Sequence, residues 1–135
     1  MQEPIWITQN IALAIHNRQI SEHGGDGGIR DAGLLASALA RPKNIFAYEP
    51  ETVGWARLAA AYLVGIAKNH PFVDGNKRVA AVVCESFLNM NDIQLNAPDD
   101  EFYAVVLAVA TSETIEAEVA SWIKTRLSDN DQARA

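Results

Sequence analysis

The run His70-Pro71-Phe72-Val73-Asp74-Gly75-Asn76-Lys77-Arg78 places a base, a carboxylate, an amide and two cations within nine residues, between two strongly apolar stretches. A histidine there can take the proton of an attacking hydroxyl near neutral pH. Asp74 offers a hard oxygen ligand of the kind Mg2+ accepts, since that ion takes one or two carboxylates and fills its shell with water and substrate phosphates. Asn76, Lys77 and Arg78 fall where a helix should start, and its first N-H groups lack intrahelical partners and carry partial positive charge. Such an end attracts anions. Cations in a first turn oppose the helix dipole, so Lys77 and Arg78 cost stability unless an anion lies between them. Gly75 lets a phosphate approach the main chain, Asn76 can cap the helix or donate its amide to a phosphate oxygen, and Arg78 can fork onto two oxygens. Phe72 anchors the loop by burying its ring. The chemistry implied is a phosphate cradle beside a general base.

Taken singly, each of these residues has a plainer use. A loop histidine is commonly a surface residue, an aspartate a turn residue, and a Lys-Arg pair a solvated face. It is their convergence on one helix terminus that calls for function. Other candidates carry less. His16 and His23 lie seven apart with no third ligand in register, so they make no metal site. Gly24 to Gly28 lacks the GK[ST] ending of a P-loop, and no strand precedes it. Cys84 reads as a buried structural thiol, and Trp6, Trp55 and Trp122 as core residues without basic neighbours.

Helices must position these groups, because no stretch shows the sustained alternation of a half-buried strand, and an all-α fold follows. Thr8 caps a first helix over 9–23 with Ile11 and Ile15 inward, ended by Gly24-Gly25. A mobile glycine loop follows, then Asp31 caps a short helix through Leu34, Leu35, Ala38 and Leu39 that stops before Pro42. Pro42 to Pro50 reads as a loop anchored by Phe46 and Tyr48, and Thr52 as the cap of a helix facing inward through Trp55, Leu58, Tyr62, Leu63 and Ile66. The helix from Asn76 carries Val79, Val82, Val83, Phe87 and Leu88 on one side and reads as central. Asp99 caps another, through Phe102, Val105, Val106 and Val109. A last helix from about Ile115 carries Val119, Trp122, Ile123 and Leu127, and the polar tail from Ser128 frays.

The 135 residues, 49% hydrophobic and 21% charged, fit one globular domain over 1–135, with its core over about 6–127 and the tail at 128–135. A net charge of -6 opposes binding to nucleic-acid backbones or anionic membranes. The single cysteine closes no intrachain disulfide, and the longest apolar run, Ala59 to Ala67, falls short of the roughly 18 residues that a membrane span needs. A cytoplasmic protein is expected.

His70, Phe72, Asp74, Asn76, Lys77 and Arg78 resemble the H-x-F-x-D-x-N-K-R signature of the death-on-curing (Doc) branch of the Fic superfamily. Gly28-Ile29-Arg30-Asp31, the Leu34 to Leu39 segment and Arg41-Pro42 are similar to that branch too, so the resemblance spans roughly Trp6 to Leu127. It implies a Fic fold that binds ATP with Mg2+, with His70 as base toward a target hydroxyl and Asp74 as the Mg2+ ligand. Gly75, Asn76, Lys77 and Arg78 would hold the phosphates, and Phe72 would hold the loop. The segment Gly24 to Arg30, with Gly28, Ile29 and Arg30, would be a flap that aligns the target.

Lys77 stands where the broader pattern H-P-F-x-D/E-G-N-G-R-x-x-R has glycine, and Ala81 where it has a second arginine. In the Doc branch this lysine accompanies a nucleotide orientation that presents the γ-phosphate, which implies protein phosphorylation. Pro71 and Gly75 match the AMP-transferring pattern, which keeps AMP transfer as the alternative; a Fic module that binds nucleotide or partner without catalysis is another. The resemblance further implies toxicity through a translation protein, elongation factor Tu in this branch. It implies restraint by a separate antitoxin too, since no S/T-x-x-x-E-G/N inhibitory segment occurs here.

Overall fold

A computed structural model describes residues 1–129. Within them the fold is all-α, built from α1 (Gln9–His23), α2 (Ala32–Tyr48), α3 (Trp55–Asn69), α4 (Asn76–Met90), α5 (Asp99–Ala110) and α6 (Glu116–Lys124). α1 begins where the Thr8 hydroxyl accepts from the Ile11 N-H, and it ends at Gly24, φ 81°. Asp31 caps α2 through the Leu34 N-H in the same way.

α2 does not stop before Pro42. It runs through the proline to Tyr48, and Pro42 and Ile45 are both buried on its inner face. A mid-helix proline costs about 3 kcal/mol in isolation, and burial of that face offsets it. Phe46 does pack against the core, edge-on to Trp6 at 5.7 Å, but Tyr48 is 87% exposed and anchors nothing. Likewise the cap of α3 is Gly54, not Thr52, whose N-H is bonded to Glu49 O within the preceding turn. The cap of α5 is Pro98; Asp99, Asp100 and Glu101 instead fill the first turn, where carboxylates suit the helix dipole.

The helix surrounded by the others is α3, not α4. It is buried nearly all round, through Ala56, Leu58, Ala59, Ala60, Ala61, Tyr62, Leu63, Gly65, Ile66 and Ala67. Small residues let neighbours close in: a Cβ on Gly65 would stand 3.2 Å from Ala38 Cβ of α2. On α4, Val79, Ala80, Val83, Cys84, Phe87 and Leu88 face this hub, and burial pushes the Cys84 thiol far above its ordinary pKa. Two short strands, β1 (Ile93–Leu95) and β2 (Leu127–Asp129), pair antiparallel with Leu95 opposite Leu127. Leu127 therefore lies beyond the last helix, and Ser128 and Asp129 are paired backbone rather than fraying tail. The remainder of that tail, 130–135, lies outside the described residues. Among the described residues no helix is long and apolar enough to cross a membrane.

Candidate active site

The loop between α3 and α4 is bounded by two left-handed residues. His70 ends α3 at φ 49°, ψ 56°, and Gly75 opens α4 at φ 80°. The glycine adopts this conformation freely, whereas a histidine there needs outside support. Arg30 supplies it: its Nε donates to His70 O at 2.6 Å and its Nη2 to Asn69 O at 2.7 Å. This guanidinium takes up the terminal carbonyls of α3, where a cation also suits the dipole. The main chain adds more. Arg30 N and Asp31 N both donate to Pro71 O, Val73 N donates to Gly28 O, and Ile29 stands opposite Phe72 in a short antiparallel bridge. Gly28, Ile29 and Arg30 are thus joined directly to the loop that carries His70.

Phe72 is fully buried. Asn76 closes the loop behind it, its Oδ1 accepting from Phe72 N and its Nδ2 donating to Phe72 O, each at 3.0 Å. The capping expected of Asn76 therefore falls to Gly75, and no side chain caps α4. Asn76 is one residue along and buried, so its amide reaches back to the loop instead of out from the helix end.

Asp74 is exposed. Its Oδ1 accepts from the Gly75 N-H at 3.1 Å and its Oδ2 from the Asp26 N-H at 3.3 Å. The glycine loop presses on this carboxylate: a Cβ on Gly25, where φ is 115°, would lie 2.9 Å from Oδ2. No cation is paired with Asp74 among the described residues. A single solvent-facing carboxylate with free lone pairs fits Mg2+, which asks little more of a protein.

Lys77 is half-buried and Arg78 exposed, and neither forms an ion pair among the described residues. The first turn of α4 holds no acidic residue, so the helix itself places no carboxylate beside these cations. Arg78 also borders a cleft of about 320 Å3 shared with Gln19, Ala81, Glu85, Asp99 and Tyr103. Burial, then the charge of Asp99, raises the pKa of Glu85 in that cleft. The His70 side chain is exposed and has no hydrogen-bond partner among the described residues. In the same loop and the strand-like segment bridged to it, Val73 and Ile29 leave apolar surface open, at 52% and 37% exposure. A larger cleft, about 460 Å3 and lined by Arg41, Tyr48 and Arg57, belongs to other chemistry or none. Its arginines are held by Glu116 and Glu49, and Arg57 lies about 20 Å from His70 along α3.

One residue of this neighbourhood escapes sequence reasoning. His16 is buried at 2% exposure, stacks on Phe72 with centroids 4.0 Å apart, and hydrogen-bonds Asp74 O at 3.0 Å. Its signal was the four-residue spacing of Ala12, His16 and Ile20 on α1, masked by the more hydrophobic Ile11 and Ile15. His23, its imagined partner, is exposed.

Comparison with known proteins places these features in context. The model of the Fic/DOC family matches residues 6–88, more than half of the chain, from before α1 to the last turn of α4. A relative named Toxin Doc, from Mycolicibacterium smegmatis, is 42% identical over 78 residues, which cover 57% of this chain and 59% of that protein. A second, named Protein kinase doc, from Escherichia phage P1, is 33% identical over 113 residues, 83% of this chain and 87% of that one. The chain thus spans less than two thirds of the first relative and most of the second.

Proposed function

Because this chain belongs to the Fic/DOC family, we propose that it is a Doc-type toxin enzyme, transferring the γ-phosphate of ATP to a hydroxyl group of a protein in translation. The observation that carries this reading is the set of groups at the amino end of α4. A base (His70), a carboxylate (Asp74) and two cations (Lys77, Arg78) lie in the loop and first turn there, and among the described residues none of them forms an ion pair. Charged groups that are not locked in direct ion pairs are free to engage a phosphate chain and its metal ion. One relative bears the name of a kinase and another that of a toxin, in keeping with that choice.

In this reading Arg78 and Lys77 grip the phosphate chain at the positive end of α4. Gly75 permits close approach, and Asn76 contributes its main-chain N-H and the loop shape it fixes. Asp74 would hold Mg2+, which would neutralise phosphate charge. His70 takes the proton of the acceptor hydroxyl; the oxygen bonds to the γ-phosphorus, and the bond to the β-γ bridging oxygen breaks to release ADP. Ile29 and Val73 offer apolar contact to the acceptor segment beside the base. The acceptor is proposed to be a translation factor, elongation factor Tu by family likeness, and the setting the cytoplasm. A separate antitoxin protein is the proposed restraint.

AMP transfer is the competing reading, favoured by Pro71 and by the left-handed Gly75 before the helix. The bulk of Lys77 opposes it, since a side chain stands where the AMP-transferring pattern has none. Incubation of the protein with ATP labelled at the γ-phosphate, Mg2+ and a bacterial extract tests the proposal. Labelling of a protein band by wild type and its loss in His70→Ala are expected. An unlabelled extract, with His70→Ala as toxic as wild type on overexpression, refutes it.

A further inference from the structure

Apart from the Tyr62 phenol, the buried polar side chains among the described residues are His16 and Asn76, at 2% and 9% exposure. Burying an imidazole costs free energy unless it is hydrogen-bonded, and an apolar residue would fill the same space without that cost. The partner is the main-chain oxygen of Asp74, which can only accept, so Nε2 of His16 must carry the hydrogen. The ring lies within 8° of parallel to that of Phe72. Stacking fixes the plane of the imidazole, and the hydrogen bond fixes where the Asp74 peptide sits within it. The next residue adds a third contact: the vacant Cβ position of Gly75 faces Ile20 Cδ1 at 3.4 Å and His16 Cδ2 at 4.0 Å. The corner formed by Asp74 and Gly75 therefore rests on α1, while Arg30 holds the other end of the loop at His70.

We propose that His16 is a positioning residue, which aims the Asp74 carboxylate by holding its main-chain carbonyl. It touches neither nucleotide nor acceptor. The proposal rests on the phosphotransfer reading above, in which Asp74 is the Mg2+ ligand. Groups that orient a metal ligand typically contribute about 10-fold to 100-fold in metal affinity or activity.

His16→Phe keeps a ring to stack on Phe72 and removes the donor, whereas His16→Gln retains a side-chain N-H of similar reach. ATP binding is measured by calorimetry across a Mg2+ titration, alongside thermal melting and amide hydrogen exchange at Gly75 and Asn76. In His16→Phe the Mg2+ concentration for half-maximal enhancement of ATP binding should rise by about 10-fold to 100-fold. Metal-free ATP binding should be unchanged, and exchange at Gly75 and Asn76 should quicken. His16→Gln should recover most of both effects. A merely structural role predicts losses that follow the melting temperature in both variants, with no selective change in Mg2+ dependence; that result overturns the proposal. So does a His16→Phe protein with wild-type Mg2+ dependence and exchange. Should that variant not fold, the wild-type 15N spectrum still decides, because a His16 protonated at Nδ1 and bare at Nε2 cannot make the bond. Failure of wild type to transfer phosphate would refute the phosphotransfer reading alone, since binding, exchange and tautomer are read without turnover.

Discussion

The loop residues divide into those that face solvent and those that hold the loop in place, and the division predicts different consequences for substitution. His70 and Arg78 are exposed and their side chains form no hydrogen bond or ion pair among the described residues, whereas Phe72 and Asn76 are buried. His70→Ala should therefore leave stability within about 1 kcal/mol of wild type. Transfer should fall by about 100-fold to 10,000-fold, with ATP affinity unchanged in calorimetry. Arg78→Lys keeps the charge and loses the planar fork, so ATP affinity should drop by about 10-fold while the fold persists. Reversal of this pattern, with His70→Ala losing nucleotide and Arg78→Lys binding as wild type, would contradict the assigned roles. The outward-facing members of the site were legible in the sequence because charge and helix-end chemistry are written in residue type. His16 was not, since its role depends on a hydrogen bond to a residue 58 positions away.

At the scale of elements, the sequence read α1 and the start of α4 correctly, because a capping hydroxyl and a glycine act over one turn. It misplaced the end of α2, because Pro42 is a local stop signal and the burial of Pro42 and Ile45 that overrides it is tertiary. Strands of three residues were missed for another reason: such a length cannot display alternation, and their pairing joins segments more than 30 positions apart. The glycine loop is the element whose function the coordinates sharpen most. Gly25 and Gly27 are two residues apart and differ sharply in surroundings, a Cβ on the former meeting Asp74 and Ile20 and one on the latter meeting nothing within 4 Å. Gly25→Ala should thus displace the loop from Asp74 and weaken Mg2+-dependent ATP binding by about 10-fold, whereas Gly27→Ala should bind as wild type. Equal behaviour of the two in calorimetry would show that the loop does not bear on the carboxylate.

For the whole molecule, α3 ties the N-terminal segment to the site. The Tyr62 hydroxyl, buried at the centre of that helix, accepts from the Ile7 N-H at 3.0 Å. Burial pushes its pKa up from 10.0 to about 12, against a smaller opposing effect of that hydrogen bond. The folded chain therefore favours the neutral phenol. Its contribution is full below the unfolded value near pH 10 and is lost as pH rises through the folded value near 12, about 2 to 3 kcal/mol in all. Tyr62→Phe should be less stable at neutral pH by about 1 kcal/mol, with Ile7 N-H left unpaired, yet its melting temperature should fall less steeply above pH 10. The net charge of -6 is likewise a property of the whole, and it conceals Lys77 and Arg78, which form no ion pair among the described residues, at a helix end with no acidic residue in its first turn. Bulk acidity argues against a polyanion partner and leaves a single triphosphate unopposed. Which phosphate of that nucleotide is transferred is the central claim, and parallel incubations with ATP labelled at the α- or the γ-phosphate decide it. The account predicts that the acceptor protein is labelled from the γ-position alone; label from the α-position would contradict it and identify AMP transfer.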